Sequence, residues 1–184
     1  AEQYVAWHFT SAPGMAARGQ ELDLSAPAHE VWASGDAVRL TQALGNLLNN
    51  ASKFSPHGGR IALRMEAAEP GWVRIAVSDN GGGISPASMP TIFDMFQQGD
   101  YAPDRLHEGL GIGLSLVATL ARLHGGAVDA ASAGTGKGSI FTLRLPVLVC
   151  STTEDAIHPV AHATALARLI PDARLVDLPP KGRD

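Results

Sequence analysis

Residues Asp36 to Ser55 read DAVRLTQALGNLLNNASKFS, and this stretch decides the fold. At about 100° per residue, Gln42, Asn46, Asn50 and Lys53 fall within an arc of roughly 80°, while Leu40, Leu44, Leu47, Leu48, Ala51 and Phe54 gather on the far side. The pattern predicts one helix with a core face and a polar face, begun by Asp36 as N-cap and stopped by Pro56 and Gly58-Gly59. The two Asn side chains supply carbonyl oxygens and amide donors one turn apart, and Lys53 adds a compact positive charge. Such a stripe suits a hard cation and the phosphates that accompany it. Read alone, it suits a solvated helix face as well.

The 184 residues allow one good core, or one domain with an appendage. A hydrophobic fraction of 45% is ordinary for a globular domain, and a net charge of -4 with mixed signs argues against a nucleic-acid surface. No apolar run reaches the roughly 18 residues of a membrane span, and the N-terminus lacks a basic stretch followed by an apolar one, so no membrane contact is expected of this fragment. A solitary Cys150 forms no internal bridge, which fits a reducing, cytoplasmic compartment. A membrane segment upstream stays open.

Outward from the helix, Glu21 to Leu24 and Val31 to Ala33 read as short strands before it. After it, Ile61, Leu63 and Met65 alternate with Arg64 and Glu66, and Val73, Ile75 and Val77 with Arg74, around the turn Glu69-Pro70-Gly71. This hairpin runs into Ser78-Asp79-Asn80-Gly81-Gly82-Gly83-Ile84, which puts Asp79 at a strand's exit. The polar segment Gln97 to Glu108 has little to bury and reads as a loop. Gly109-Leu110-Gly111-Ile112-Gly113-Leu114 then opens a second helix that runs to His124, with Leu116, Val117, Leu120 and Leu123 on its apolar face and Gly125-Gly126 as its stop. Ala127 to Ser132 and Ser139 to Leu145 read as another hairpin. The expected architecture is α+β: a two-layer sandwich in which helices cover one face of a mixed sheet.

Glycines at 109, 111 and 113 let backbone approach phosphates, and the helix beyond offers unpaired N–H groups. Glycine-rich turns before helices are also common without any ligand. Two other nucleotide motifs are excluded: Lys137 is followed by Gly138 rather than Ser or Thr, so there is no Walker A sequence, and Gly109 to Gly113 misses the G-x-G-x-x-G spacing.

Taken in order, Asn46-Leu-Leu-Asn-Asn50-Ala-Ser-Lys53-Phe54, Asp79-Asn-Gly-Gly-Gly83-Ile84, Ile92-Phe93-Asp-Met-Phe96 and Gly109-Leu-Gly-Ile-Gly-Leu-Ser115-Leu-Val117 resemble the N, G1, F and G2 boxes of the sensor histidine kinase catalytic domain. That domain belongs to the GHKL (Bergerat-fold) superfamily shared with gyrase, Hsp90 and MutL. The resemblance spans about Ala17 to Pro146, leaving 1–16 as an N-terminal extension and 147–184 as a C-terminal one. It implies ATP and Mg²⁺ as cofactors. It further implies that Asn46 coordinates the metal, that Asn50 and Lys53 engage the phosphates, and that Asp79 accepts the adenine amino hydrogen. By the same resemblance Gly81 and Gly83 leave room for the ring, with Ile84 among the binding residues, Phe93 and Phe96 anchor a lid at Gln97 to Glu108, and Gly109, Leu110, Gly111, Ile112, Gly113, Leu114 and Ser115 close over the phosphates. Thr142 resembles the family's threonine near adenine; a plain strand position is the other reading.

Water attack on ATP benefits from a carboxylate base, which the clamp-type ATPases of this superfamily carry four residues before the metal-binding Asn. Here that position is Gln42, an amide that takes no proton at neutral pH, which favours phosphoryl transfer to a protein histidine. A clamp-type ATPase and a nucleotide-binding regulatory module remain the alternatives. The acceptor histidine is expected on a separate dimerisation domain, in cis or in trans, with a response regulator receiver domain as the next partner. His29-Glu30 is the tempting local match, but Ser34 stands where the family's Pro belongs. The tail from Pro146 reads as a βαβ unit, with strands at Val147 to Cys150 and Ala173 to Leu178 around a helix at Ala161 to Ile170. It resembles the end of an α/β-hydrolase, with Asp155 in the position of the triad acid. No G-x-S-x-G occurs and the ending Gly182-Arg183-Asp184 offers no histidine for a triad, so no triad is expected.

Overall fold

The computed structural model describes residues 14–26, 36–68, 71–97, 110–146, 148–151 and 174–177. Strand β1 is Glu21–Ser25, helix α1 Ala37–Phe54, β2 Arg60–Ala67, β3 Trp72–Asp79, helix α2 Gly113–Leu123, β4 Ala127–Ala131 and β5 Ser139–Pro146. They form a five-stranded sheet in the order β1-β2-β3-β5-β4, parallel between β1 and β2 and antiparallel elsewhere. The expected strand at Val31 to Ala33, the dipeptide His29-Glu30, the segment 98–109 with Gly109, the tail helix and Asp155 all lie outside the described residues.

Alternation within the strands decides which face the helices cover. Ile61 and Leu63 of β2, Val73, Ile75 and Val77 of β3, and Phe141, Leu143 and Leu145 of β5 are all buried. Against them lie Ala43, Leu44, Leu47, Leu48 and Ala51 of α1 and Val117, Leu120 and Ala121 of α2. Fully burying a Leu contributes about 1.5–3 kcal/mol, so Leu47 and Leu48, both 0% exposed, anchor α1. The reverse face of the sheet carries cross-strand ion pairs at solvent-exposed positions: Arg60 with Glu21, Arg74 with Glu66, and Arg144 with Asp129.

Both helices end as their sequences dictate. The Asp36 carboxylate accepts the N–H groups of Val38 at 2.9 Å and Arg39 at 3.1 Å, an N-cap. At the far end of α1, buried Gln20 donates to the carbonyls of Ser52 and Pro56 and accepts the Ser52 hydroxyl, satisfying groups a helix terminus leaves orphaned. Helix α2 closes through Gly125 at φ +70°, with Gly126 N–H donating to the Ala121 carbonyl. Its apolar face differs from the expected one at Leu123, which is 76% exposed. The buried stripe runs Val117, Leu120, Ala121, and a residue three beyond Leu120 has turned off it.

Beyond Pro146, β6 (Leu148–Ser151) and β7 (Arg174–Asp177) pair in parallel as a separate two-stranded sheet. A parallel pair needs a long crossover, and residues 152–173, which would form it, lie outside the described residues.

Candidate functional site

Asp79 is the last residue of β3, two beyond buried Val77, so alternation turns its carboxylate to the helix side of the sheet. Both oxygens are held. Oδ1 accepts the Gly81 N–H at 2.8 Å, and Oδ2 accepts the Ser139 hydroxyl at 2.5 Å. A carboxylate has about four lone-pair sites, so one direction on each oxygen is left for a further donor.

The turn after Asp79 is fixed by backbone packing. A Cβ on Gly81 would run into the Phe54 carbonyl, and Gly82 N–H donates to that same carbonyl at 3.0 Å. The loop is thereby joined to the last turn of α1, the turn that carries Lys53. Gly83 sits at φ +67°, and a Cβ there would strike the Gly134 carbonyl. At both positions backbone occupies the place a Cβ would take, so only glycine fits there. Ile84 is buried in the core, and its N–H donates to Ser132 Oγ at 3.0 Å.

On α1, Asn46, Asn50 and Lys53 are each partly buried, and Lys53 Nζ stands 5.1 Å from the centre of the Phe54 ring. Gln42 is exposed and accepts from the Arg39 guanidinium at 3.1 Å. The polar stripe meets the entry of α2: a Cβ on Gly113 would lie 3.7 Å from Asn46 Oδ1. No side chain caps that helix entry, and the Ser115 hydroxyl donates back to the Ile112 carbonyl at 2.9 Å. Leu110 and Ile112 are exposed, Leu114 is partly buried, and Gly111 at φ +68° accepts the Phe96 N–H at 3.0 Å.

Two expectations need correcting. Phe93 does anchor its segment, packing edge-on against Phe141 at 6.3 Å, but the Phe96 side chain is 73% exposed. Phe96 holds its place through the backbone, at φ +64°. Thr142 lies on the face of β5 opposite Phe141 and Leu143, paired with Ala76, and so points away from Asp79. Ser139, three residues earlier and of opposite parity, is the hydroxyl that meets the carboxylate.

A carboxylate with a donor-seeking edge, an amide-and-ammonium stripe and an uncapped glycine entry to a helix therefore border one side of the sheet. The family model for histidine kinase-, DNA gyrase B- and HSP90-like ATPases matches residues 35–149. The chain belongs to this family. Hybrid signal transduction histidine kinase D of Dictyostelium discoideum is 36% identical over 137 residues, 62% of this chain and 9% of that protein. The signal transduction histidine-protein kinase/phosphatase MprB of Mycobacterium ulcerans is 37% identical over 115 residues, 61% of this chain and 22% of its own length. Among solved structures, a mycobacterial sensor histidine kinase MprB superposes with a TM-score of 0.67 at 28% identity, covering 77% of this chain and 93% of that one. The chain thus spans under a quarter of either of these curated relatives, and it is an ATP-binding domain of the sensor histidine kinase type.

Sequence reading of this ATPase-family domain missed Ser139. The residue opens β5 directly after Gly138, and it is the strand register, visible only in the fold, that pairs it with Asp79. Among the described residues no helix is long and apolar enough to cross a membrane, and no three His, Cys, Asp or Glu gather as a metal site.

Proposed function

We propose that this chain is the catalytic part of a two-component sensor histidine kinase. It binds ATP with Mg²⁺ and passes the terminal phosphoryl group to a histidine on a separate dimerisation domain, in cis or in trans. A response regulator receiver domain is the next acceptor. In this reading Asp79 receives the adenine amino group, with Ser139 in the place first given to Thr142. Asn50 and Lys53 engage the phosphates, Asn46 holds the metal, and the segment 109–115 lies over the phosphates. Gln42 contributes no base, which keeps water from being activated.

The observation that carries the reading is the meeting of the α1 stripe with the α2 entry, Asn46 Oδ1 against Gly113, on the face where Asp79 also opens. A single amide oxygen fits Mg²⁺, which takes its remaining ligands from phosphate and water, and no carboxylate cage is needed. The bound ion supplies charge neutralisation at the phosphates. An ammonium, two amides and uncapped N–H groups do the rest, since phosphoryl transfer asks the protein for positioning and charge.

The test is incubation of the chain with γ-labelled ATP, with and without a supplied histidine-bearing helical hairpin. Label on the hairpin, with little free phosphate in its absence, is the expected result. Brisk phosphate release without acceptor would favour the clamp-type ATPase instead, and tight binding with no transfer a regulatory module.

A further inference from the structure

The β3–β5 ladder ends at the pair Asp79 and Ser139, so the two loops leaving it, 80–84 and 132–138, are fixed to each other by other means. They lie backbone to backbone: Gly136 N–H donates to the Gly82 carbonyl at 2.7 Å and Gly138 N–H to the Gly81 carbonyl at 3.1 Å. Cβ atoms on Gly83 and Gly138 would collide with the carbonyls of Gly134 and Asp79. Between the loops sits Ser132 Oγ. It donates to the Gly138 carbonyl at 2.7 Å and accepts the N–H groups of Ile84 at 3.0 Å and Gly134 at 3.2 Å. One proton and two lone pairs are all a hydroxyl has, and here all three are used.

The two tethers on the Asp79 carboxylate lie one within the first loop and one at the residue where the second loop rejoins the sheet. Gly81, which holds Oδ1, is in the first; Ser139, which holds Oδ2, follows the last residue of the second. A slip of one loop against the other would therefore turn the carboxylate. We propose that Ser132 is a positioning residue for base selectivity: by locking the two loops it aims Asp79 so that a purine bearing an exocyclic amino group is accepted and one bearing a carbonyl there is refused. A carbonyl oxygen facing a fixed carboxylate leaves both acceptors without a donor, which is the strong form of rejection. This rests on Asp79 being the adenine acceptor.

The experiment measures dissociation constants of the whole chain for ATP, GTP and inorganic tripolyphosphate, each with Mg²⁺, in the parent, Ser132→Ala, Ser132→Cys, Ser132→Thr and Asp79→Asn. Loss of the Ser132 hydroxyl should cut the ATP-over-GTP preference about tenfold while tripolyphosphate binding holds, and Thr should restore it. Ser132→Cys keeps the volume with a weak donor, so it answers the question if the Ala variant does not fold. A purely structural role would weaken all three ligands in parallel; that result, or an unchanged preference in Ser132→Cys, overturns the proposal. Asp79→Asn separates the two layers. If it abolishes the preference while the Ser132 variants keep it, the positioning role fails and the adenine reading stands. If it too keeps the parent's preference, the adenine reading fails and the positioning role with it.

Discussion

A carboxylate at the end of a buried strand must be received by donors, and the two that receive Asp79 come from different places in the chain. The near one, Gly81 N–H, is legible in the letters, because an Asp two residues before a glycine readily accepts from its backbone. The far one, the Ser139 hydroxyl, depends on the β3–β5 register, which no local pattern carries. For the same reason the letters leave Thr142 with two readings, and the plain strand position is the one that forms: a motif gives the neighbourhood, but parity along the strand decides the face. Ser139→Ala should weaken ATP binding by about 1 kcal/mol, while Thr142→Val leaves it unchanged, as isothermal calorimetry would read. Equal effects of the two would undo the assignment of faces. Asn46→Ala should remove the Mg²⁺ dependence of nucleotide binding, checked by titrating ATP with and without the metal.

At the scale of the element, α1 does two jobs with one periodicity. Its apolar stripe fixes it to the sheet, and the same 3.6-residue repeat then aims Asn46, Asn50 and Lys53 along the other side. Leu47→Ala should cost about 2–5 kcal/mol by denaturant unfolding, since the side chain is fully buried, and Asp36→Ala about 1 kcal/mol through the lost cap. A Leu47→Ala loss below that of the cap variant would mean that α1 is not packed as described. This helix was almost wholly legible, from cap to stop, because its signals are local. Helix α2 ends where its sequence says, at the His124 cap, but Leu123 stands off the buried stripe. The posture of Phe96, at positive φ with its ring outward, followed from a backbone bond to Gly111 that sequence cannot announce.

At the scale of the whole molecule, the mixed sheet with helices on one face was expected from the order of strand and helix patterns, and it is what forms. The tail is different in kind: among the described residues β6 pairs with β7 and with no strand of the five-stranded sheet. A chain ending at Pro146 should therefore keep its ATP affinity and shift its melting temperature by no more than a few degrees, which differential scanning fluorimetry with and without ATP would reveal. A collapse of melting on truncation would make the tail part of the folding unit. The reverse of the sheet, where Ala76 and Thr142 sit side by side, has a practical consequence. A fluorophore or a surface linker attached there, through Ala76→Cys in a Cys150→Ser background, leaves the helix-covered side, to which Asp79 turns, unobstructed. This is the side by which to hold the protein while watching the other.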